Sequence, residues 1–215
     1  MNSWYKNFAE LNAVEKNGLS FRLQVKDRRT AWIVIAPHGG GIEPGTTEMA
    51  VAIAGWSLSL YTFDGIRRSG NELLHITSTL FDEPRGLKLI QASEHVLAIH
   101  GCGGSEQIVY VGGLHEEAGN KIMMSLRDAG FEAVRATTQL QGTQPDNICN
   151  RCRSQQGAQL EISEGLRRSM FNGLDRNSRK VTRLPFRVFV NAIRKVLHAE
   201  SVERSVLGCL FHNNF

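Results

Sequence analysis

No stretch of this sequence stays apolar for anything near the roughly 18 residues that a membrane-spanning helix requires, so no bilayer crossing is expected. The amino-terminal segment MNSWYKNFAELNAVEKNG lacks the basic patch and apolar core that mark a secretory leader. The expectation is therefore synthesis in a reducing cytoplasm, with any extracellular target reached by another route such as cell lysis. Cysteine is sparse: Cys102, Cys149, Cys152 and Cys209, in a leaderless chain of 215 residues, do not read as a disulfide framework. Cys149-x-x-Cys152 has no second C-x-x-C or H-x3-H half, so it is read as incidental rather than as a zinc knuckle. The G-x-S-x-G elbow is missing, which leaves a serine hydrolase without an anchor. Charge excess is small as well. A net charge of +4 favours an anionic partner without implying nucleic acid by itself.

What the chain does have is alternation. Short β-like runs at 21–25, 31–36, 57–63, 73–77, 95–100, 108–111, 131–134 and 158–162 interleave with helical patterns at 47–54, 117–129, 164–171 and between 185 and 198. Several runs are apolar throughout, as interior strands covered on both faces are. Ala118, Ile122, Leu126 and Ala129 recur at helical spacing, and Gly130 follows as a carboxyl-terminal cap. The pattern predicts a three-layer α/β/α sandwich with a mixed, mostly buried sheet, in one domain over residues 1–215. The polar segment 141–156 is the expected long loop.

Two strand ends carry chemistry. WIVIAPHGGGIEPGTTEMA runs from an apolar strand through His38 and three glycines to Glu43, and the run HVLAIH ends at His100. Sites in α/β sheets gather beyond the carboxyl ends of strands. Two such histidines and a loop glutamate would make a His2Glu zinc site with an open position. The other reading of the glycine loop is a tight turn or a phosphate cradle. The second of these lacks the usual Lys-Ser/Thr and faces Glu43 and Glu48. Either glutamate is a possible third ligand. Glu161 stands in the apolar run QLEIS, where a carboxylate is costly unless it is paired with arginine or serves as a general base. Asn147, Asn150, Arg151 and Arg153 in the polar loop, and the pairs Arg67-Arg68 and Arg167-Arg168, offer amides and guanidinium forks suited to carboxylates. Arg151 is singled out among them.

Together the blocks PHGGGIEPGTTEMA, NELLHITSTLFDEP, AIHGC, VYVGGL, and NICNR followed by QLEISEGLR resemble the bacteriophage and Bacillus-type poly-γ-glutamate hydrolases, small zinc enzymes with a carboxypeptidase-like fold. The resemblance spans residues 21–168. It implies one zinc ion held by His38, Glu43 and His100, with Glu161 as the catalytic glutamate. It also implies that Asn150-Arg151 contacts a substrate carboxylate, with His75 a support to the metal ligands or a hydrogen-bond partner of substrate; Asn147 and Arg167 are added as substrate contacts from their residue types. The expected substrate is anionic poly-γ-glutamate, cleaved at γ-amide links by a monomer, as in phage removal of a host capsule. The alternatives are a zinc amidase acting on another γ-glutamyl or cell-wall peptide, and a non-catalytic phage protein associated with nucleic acid.

Overall fold

The structure, a computed structural model, describes residues 4–212, with side-chain surroundings for residues 4–200 other than 138. Cys209 thus lies outside the described side chains.

Seven strands form one sheet: β1 (Phe21–Lys26), β2 (Trp32–Gly40), β3 (Ser59–Gly65), β4 (His95–Cys102), β5 (Ile108–Gly113), β6 (Glu132–Arg135) and β7 (Ala158–Ser163). Their order is β1-β3-β2-β4-β7-β5-β6. The run β3-β2-β4-β7 is parallel, and β1 and β5 join it antiparallel, so the sheet is mixed. The most apolar strands sit centrally because both of their faces must be covered. One face packs Trp32, Val34, Leu97, Ile99, Leu160 and Ile162 against helices α2 (Thr46–Ala54), α4 (Glu116–Asp128), α5 (Glu164–Met170) and α6 (Leu184–His212). The other face packs Ile33, Ile35, Tyr61, Phe63, Val96 and Ala98 under α1 (Phe8–Val14), α3 (Pro84–Ala92) and ordered turns. The expected three-layer α/β/α arrangement is what the chain adopts.

Three elements differ from expectation. The 73–77 run is not a strand. Asn71–Leu74 forms a 3-10 turn, closed by Asn71, whose side chain accepts from Arg67 N–H and donates to Arg67 C=O. Both edges of β3 are already paired, so this segment lies across the sheet and buries Leu74 and Ile76 as core. Helices α1 and α3 were not anticipated. Asn7 caps α1 by accepting from Glu10 N–H, and Glu83 caps α3 ahead of Pro84 at its first position. The glycine that weakens the helical pattern of α3 is a packing requirement: a Cβ on Gly86 would lie 2.5 Å from the Tyr61 ring.

Cys149 and Cys152 are free thiols within the second core. Their sulfurs hydrogen-bond the Gly142 and Gln156 carbonyls respectively.

Candidate metal centre and active-site pocket

The parallel strands β2, β4 and β7 deliver their carboxyl ends to one side of the molecule, and side-chain alternation sets the face. On β4, Val96 and Ala98 lie under α1 and α3, so His100 follows on that face. On β7, Ala158, Leu160 and Ile162 fill the opposite core and leave Gln159 and Glu161 on the His100 side. β2 needs a correction to join them, because simple alternation would group His38 with Trp32, Val34 and Ala36. Ala36 pairs with Thr62 but Gly39 pairs with Asp64, so one extra residue is inserted at Pro37-His38. This bulge, at a proline that has no N–H to give the ladder, turns the His38 ring toward His75 (centroids 4.0 Å apart) and Phe81 (6.2 Å). The strand therefore continues to Gly40, beyond the expected end at Ala36.

The glycines after His38 are steric necessities. Gly40 has φ +66°, and a Cβ there would sit 2.4 Å from the Gly65 carbonyl oxygen. Its N–H donates to Thr47 Oγ1 (2.8 Å), whose hydroxyl donates to Asp64 Oδ1 (2.6 Å). The Glu43 N–H then returns to the His38 carbonyl (2.9 Å), a turn that brings the Glu43 side chain back to the ring.

The result is a tight cluster. His38 Nδ1 lies 3.1 Å from Glu43 Oε1 and 3.2 Å from His100 Nδ1, and His100 Nδ1 lies 3.5 Å from Glu43 Oε2. All three residues are buried. Zinc–nitrogen and zinc–oxygen bonds of about 2.0–2.1 Å in a tetrahedron set ligand atoms roughly 3.3–3.4 Å apart, so this donor set fits a zinc-type ion. His38 Nε2 lies 2.7 Å from the Ile76 carbonyl, which makes Nε2 the protonated nitrogen and leaves the Nδ1 lone pair facing the cluster. Donor atoms of His38, Glu43 and His75 also lie within 4.8 Å of one another. Two triplets thus share His38 and Glu43. The one closed by His100 has the spacing of direct ligands, and His75 is a fourth nitrogen donor beside it. Glu48 is elsewhere, paired with Arg179 at 3.0 Å, so Glu43 is the glutamate that meets the histidines.

The charges are arranged to match. Burial opposes ionisation of Glu43, but the facing His38 and His100 outweigh it and hold the carboxyl well below the usual carboxylate range. Burial likewise opposes protonation of His100, and Glu43 and Glu161 outweigh it, so its pKa is raised. His75, half-buried, is pushed down to about 3 by its loss of solvent and by the neighbouring His38. Burial pushes Glu161 up to about 7, with His100 opposing and Glu43 adding. Glu161 pairs with His100 in strand register, makes no ion pair among the described residues, and accepts from Gln159 Nε2 at 3.0 Å. No arginine among the described residues reaches ion-pair distance of it, although the Arg167 charge lowers its pKa from further off. A carboxyl near neutrality can both take and return a proton.

His38, Glu43, His75, His100, Asn147 and Glu161 line a single pocket of about 520 Å³, together with Thr77–Thr79, Gln139, Gln144 and Gln159. The remaining expected substrate contacts lie outside it. Asn150 is 1% exposed and spends its amide on the Gly142 and Gln144 carbonyls and on the Leu114 and Gly157 N–H groups. Arg151 donates to the Phe81 carbonyl (2.9 Å). Arg167 is 4% exposed and clamps three carbonyls, of Pro44 (2.7 Å), Cys102 (2.8 Å) and Ile162 (3.0 Å). Guanidinium and amide groups were expected to face substrate carboxylates, and in these three residues they satisfy buried backbone oxygens instead. Gln159 and the Ile76 carbonyl were missed. Gln159 could have been found from its i, i+2 spacing to Glu161 on one strand face, whereas no side-chain pattern announces a carbonyl.

Fold and site together define an α/β protein with a buried His/Glu cluster, of the kind that holds a metal ion, at the open carboxyl edge of a mixed sheet. Residues 5–192 match the Poly-gamma-glutamate hydrolase family, and the chain belongs to that family. This agrees with the resemblance read from the sequence and extends it at both ends. The chain is 42% identical over 170 residues to the SPβ prophage-derived protein YoqZ of Bacillus subtilis, a match covering 78% of this chain and 61% of YoqZ. Its structure is similar to that of a bacteriophage poly-γ-glutamate hydrolase, with TM-score 0.90, 35% identity and coverage of 93% of this chain and 98% of that one. It is also similar to YndL of Bacillus subtilis in a zinc-free form, with TM-score 0.88, 34% identity and coverage of 92% and 98%. The family and the bacteriophage structure both carry the name of a hydrolase, so the chain is a hydrolase rather than a non-catalytic protein. Among the described residues, no helix is long and apolar enough to cross a membrane.

Proposed function

We propose that this chain, acting as one domain and as a monomer, hydrolyses γ-glutamyl amide bonds of poly-γ-glutamate with one zinc ion held by His38, Glu43 and His100. The observation that carries this reading is the convergence of those three side chains, 3.1–3.5 Å apart, in the pocket that also holds Glu161. The family match and the relative named zinc-free support it. When bound, zinc supplies Lewis acidity toward the scissile carbonyl and lowers the pKa of water.

The protein's own groups do the rest. Glu161, with its carboxyl near 7, takes the proton of the attacking water and later gives it to the leaving nitrogen. Gln159 fixes the Glu161 carboxylate, and Asn147 Nδ2 in turn donates to Gln159 Oε1 (3.3 Å). The Ile76 carbonyl orients the His38 ring. His75, kept neutral, is a further polar contact in the pocket lining. Synthesis in the cytoplasm and action outside after lysis suit a polymer that coats another cell.

Among the described residues the pocket lining contains no arginine or lysine, which favours a second reading at the level of substrate: another γ-glutamyl or cell-wall peptide with few charges beside the scissile bond. One experiment separates the readings. Metal content is measured on the purified protein, then depolymerisation of poly-γ-glutamate is followed with and without chelator and in Glu161→Gln. The proposal expects near one zinc per chain, chelator-sensitive cleavage, and a Glu161→Gln variant that keeps metal and loses activity. Cleavage of cell-wall peptide alone would favour the second reading. Full activity without metal would overturn both.

A further inference from the structure

A polymer with one carboxylate per residue needs countercharges, and among the described residues the pocket that holds Glu161 offers none from lysine or arginine. The cations lie just behind its wall. The loop after β2 is that wall: His38 and Glu43 line the pocket, while Gly41 and Pro44 line a second cavity of about 430 Å³ with Arg67, Arg68, Arg176 and Arg179. Gly40 lines a third cavity, of about 510 Å³, with Arg22, Arg176, Arg179 and Lys180. The second and third cavities share Arg176 and Arg179, so they form one basic surface. Consecutive residues Glu43 and Pro44 separate it from the metal cluster by the thickness of one strand of chain.

The charge of this surface is not cancelled. Arg179 pairs with Glu48, Arg67 with Glu15, and Arg22 with Asp64, whereas Arg68, Arg176 and Lys180 pair with no carboxylate among the described residues. Asp175, the remaining acid of the lining, accepts from the Asn177 and Ser178 N–H groups, which keep it ionised, so one carboxylate without a cation partner stands against three such cations. Arg176 is nevertheless held in place, donating to the Ile66 and Arg67 carbonyls while its residue stays exposed. A guanidinium fixed on one edge and open on the other is pre-organised for a bidentate carboxylate. Surface arginines are commonly only solvated. Three cations without a carboxylate partner on linked cavities, beside a pocket with no lysine or arginine among its described residues, are a more specific arrangement.

We propose that the basic surface formed by Arg68, Arg176 and Lys180 behind the Gly39–Pro44 loop is a distal subsite that binds side carboxylates of a polycarboxylate chain while another part of the same chain occupies the pocket. The substrate class rests on the function proposed above. The subsite contributes binding along the polymer and leaves the chemistry at the scissile bond untouched, so its effect grows with substrate length and shrinks with salt.

The test uses the zinc-loaded protein and the triple variant Arg68→Gln/Arg176→Gln/Lys180→Gln, with Arg68→Gln/Lys180→Gln as the milder form should Arg176 prove needed for folding. KM and kcat are measured on long poly-γ-glutamate and on a short γ-linked triglutamate, at low and raised salt. Polymer affinity is measured separately in a Glu161→Gln background. The expectation is a rise in polymer KM of about tenfold, unchanged kcat, unchanged triglutamate kinetics, and a flatter salt dependence. Unchanged polymer KM and affinity, or equal losses on polymer and triglutamate, would overturn the subsite. So would a surface that binds single-stranded DNA more tightly than polyglutamate. If the wild-type chain cleaves neither substrate, the proposed function fails, and the affinity measurement still decides the subsite.

Discussion

Gln159 donates its side-chain amide to Glu161 Oε1 at 3.0 Å, from two positions earlier on the same face of β7. The donor favours the ionised carboxylate and so works against the burial that pushes this group up to about 7. Gln159→Ala removes it. The acid limb of the kcat/KM–pH profile is expected to move to higher pH, with kcat down about tenfold from a lost charge-assisted bond and a less fixed base. A merely structural role for Gln159 would lower activity without moving that limb.

Metal removal is expected to destabilise the fold, because the three donors lie buried against one another and an ion binds them only when they are assembled. Zinc at a hundredfold excess over its Kd should add about 2.7 kcal/mol to the stability of the metal-free chain. Glu43→Gln keeps the shape and loses the charge, so it should abolish most of that increment. Thermal melts with and without chelator, alongside metal analysis, check both statements.

The chelated protein should lose stability as the medium turns acidic, in part through His75. Its folded pKa of about 3 lies below its ordinary 6.5, so between these values the unfolded chain binds a proton that the folded chain refuses. The contribution is full above pH 6.5 and is lost as pH falls toward 3. Glu43, also lowered, acts in the same direction below its own ordinary range. Glu161, raised, acts oppositely, and its contribution is lost as pH rises through 7. Urea midpoints of wild type and His75→Gln, followed from pH 7 to pH 4, should show a shallower decline in the variant.

Arg167 ties the Glu43 loop to the ends of β4 and β7 through the Pro44, Cys102 and Ile162 carbonyls. Lysine cannot span three acceptors with a planar fork. Arg167→Lys is expected to cost about 2–4 kcal/mol of stability by leaving buried carbonyls unpaired. The KM for polymer in the surviving folded protein should stay near that of wild type. A raised KM at unchanged stability would instead restore this residue to the substrate side.

Much was decided by the chain itself. Apolar runs such as WIVIA and HVLAI must be interior strands because only a doubly covered sheet buries them on both sides, and the positions of His38 and His100 after those runs follow from them. Glycine at position 40 is likewise dictated locally, by a backbone conformation that other residues adopt only with strain. Tertiary structure decided the rest, for reasons that do not lie in any one segment. The LLHIT run is apolar enough for a strand, yet β3 had no free edge to receive it, and its Ile76 carbonyl became the partner of His38. Spacing could not distinguish Glu43 from Glu48, because the choice is made by a turn and by Arg179, 131 residues away from Glu48. Arginines and asparagines look alike in sequence whether they face a substrate or a buried carbonyl. Arg167 and Asn150 face the carbonyls because folding had already stripped those oxygens of water.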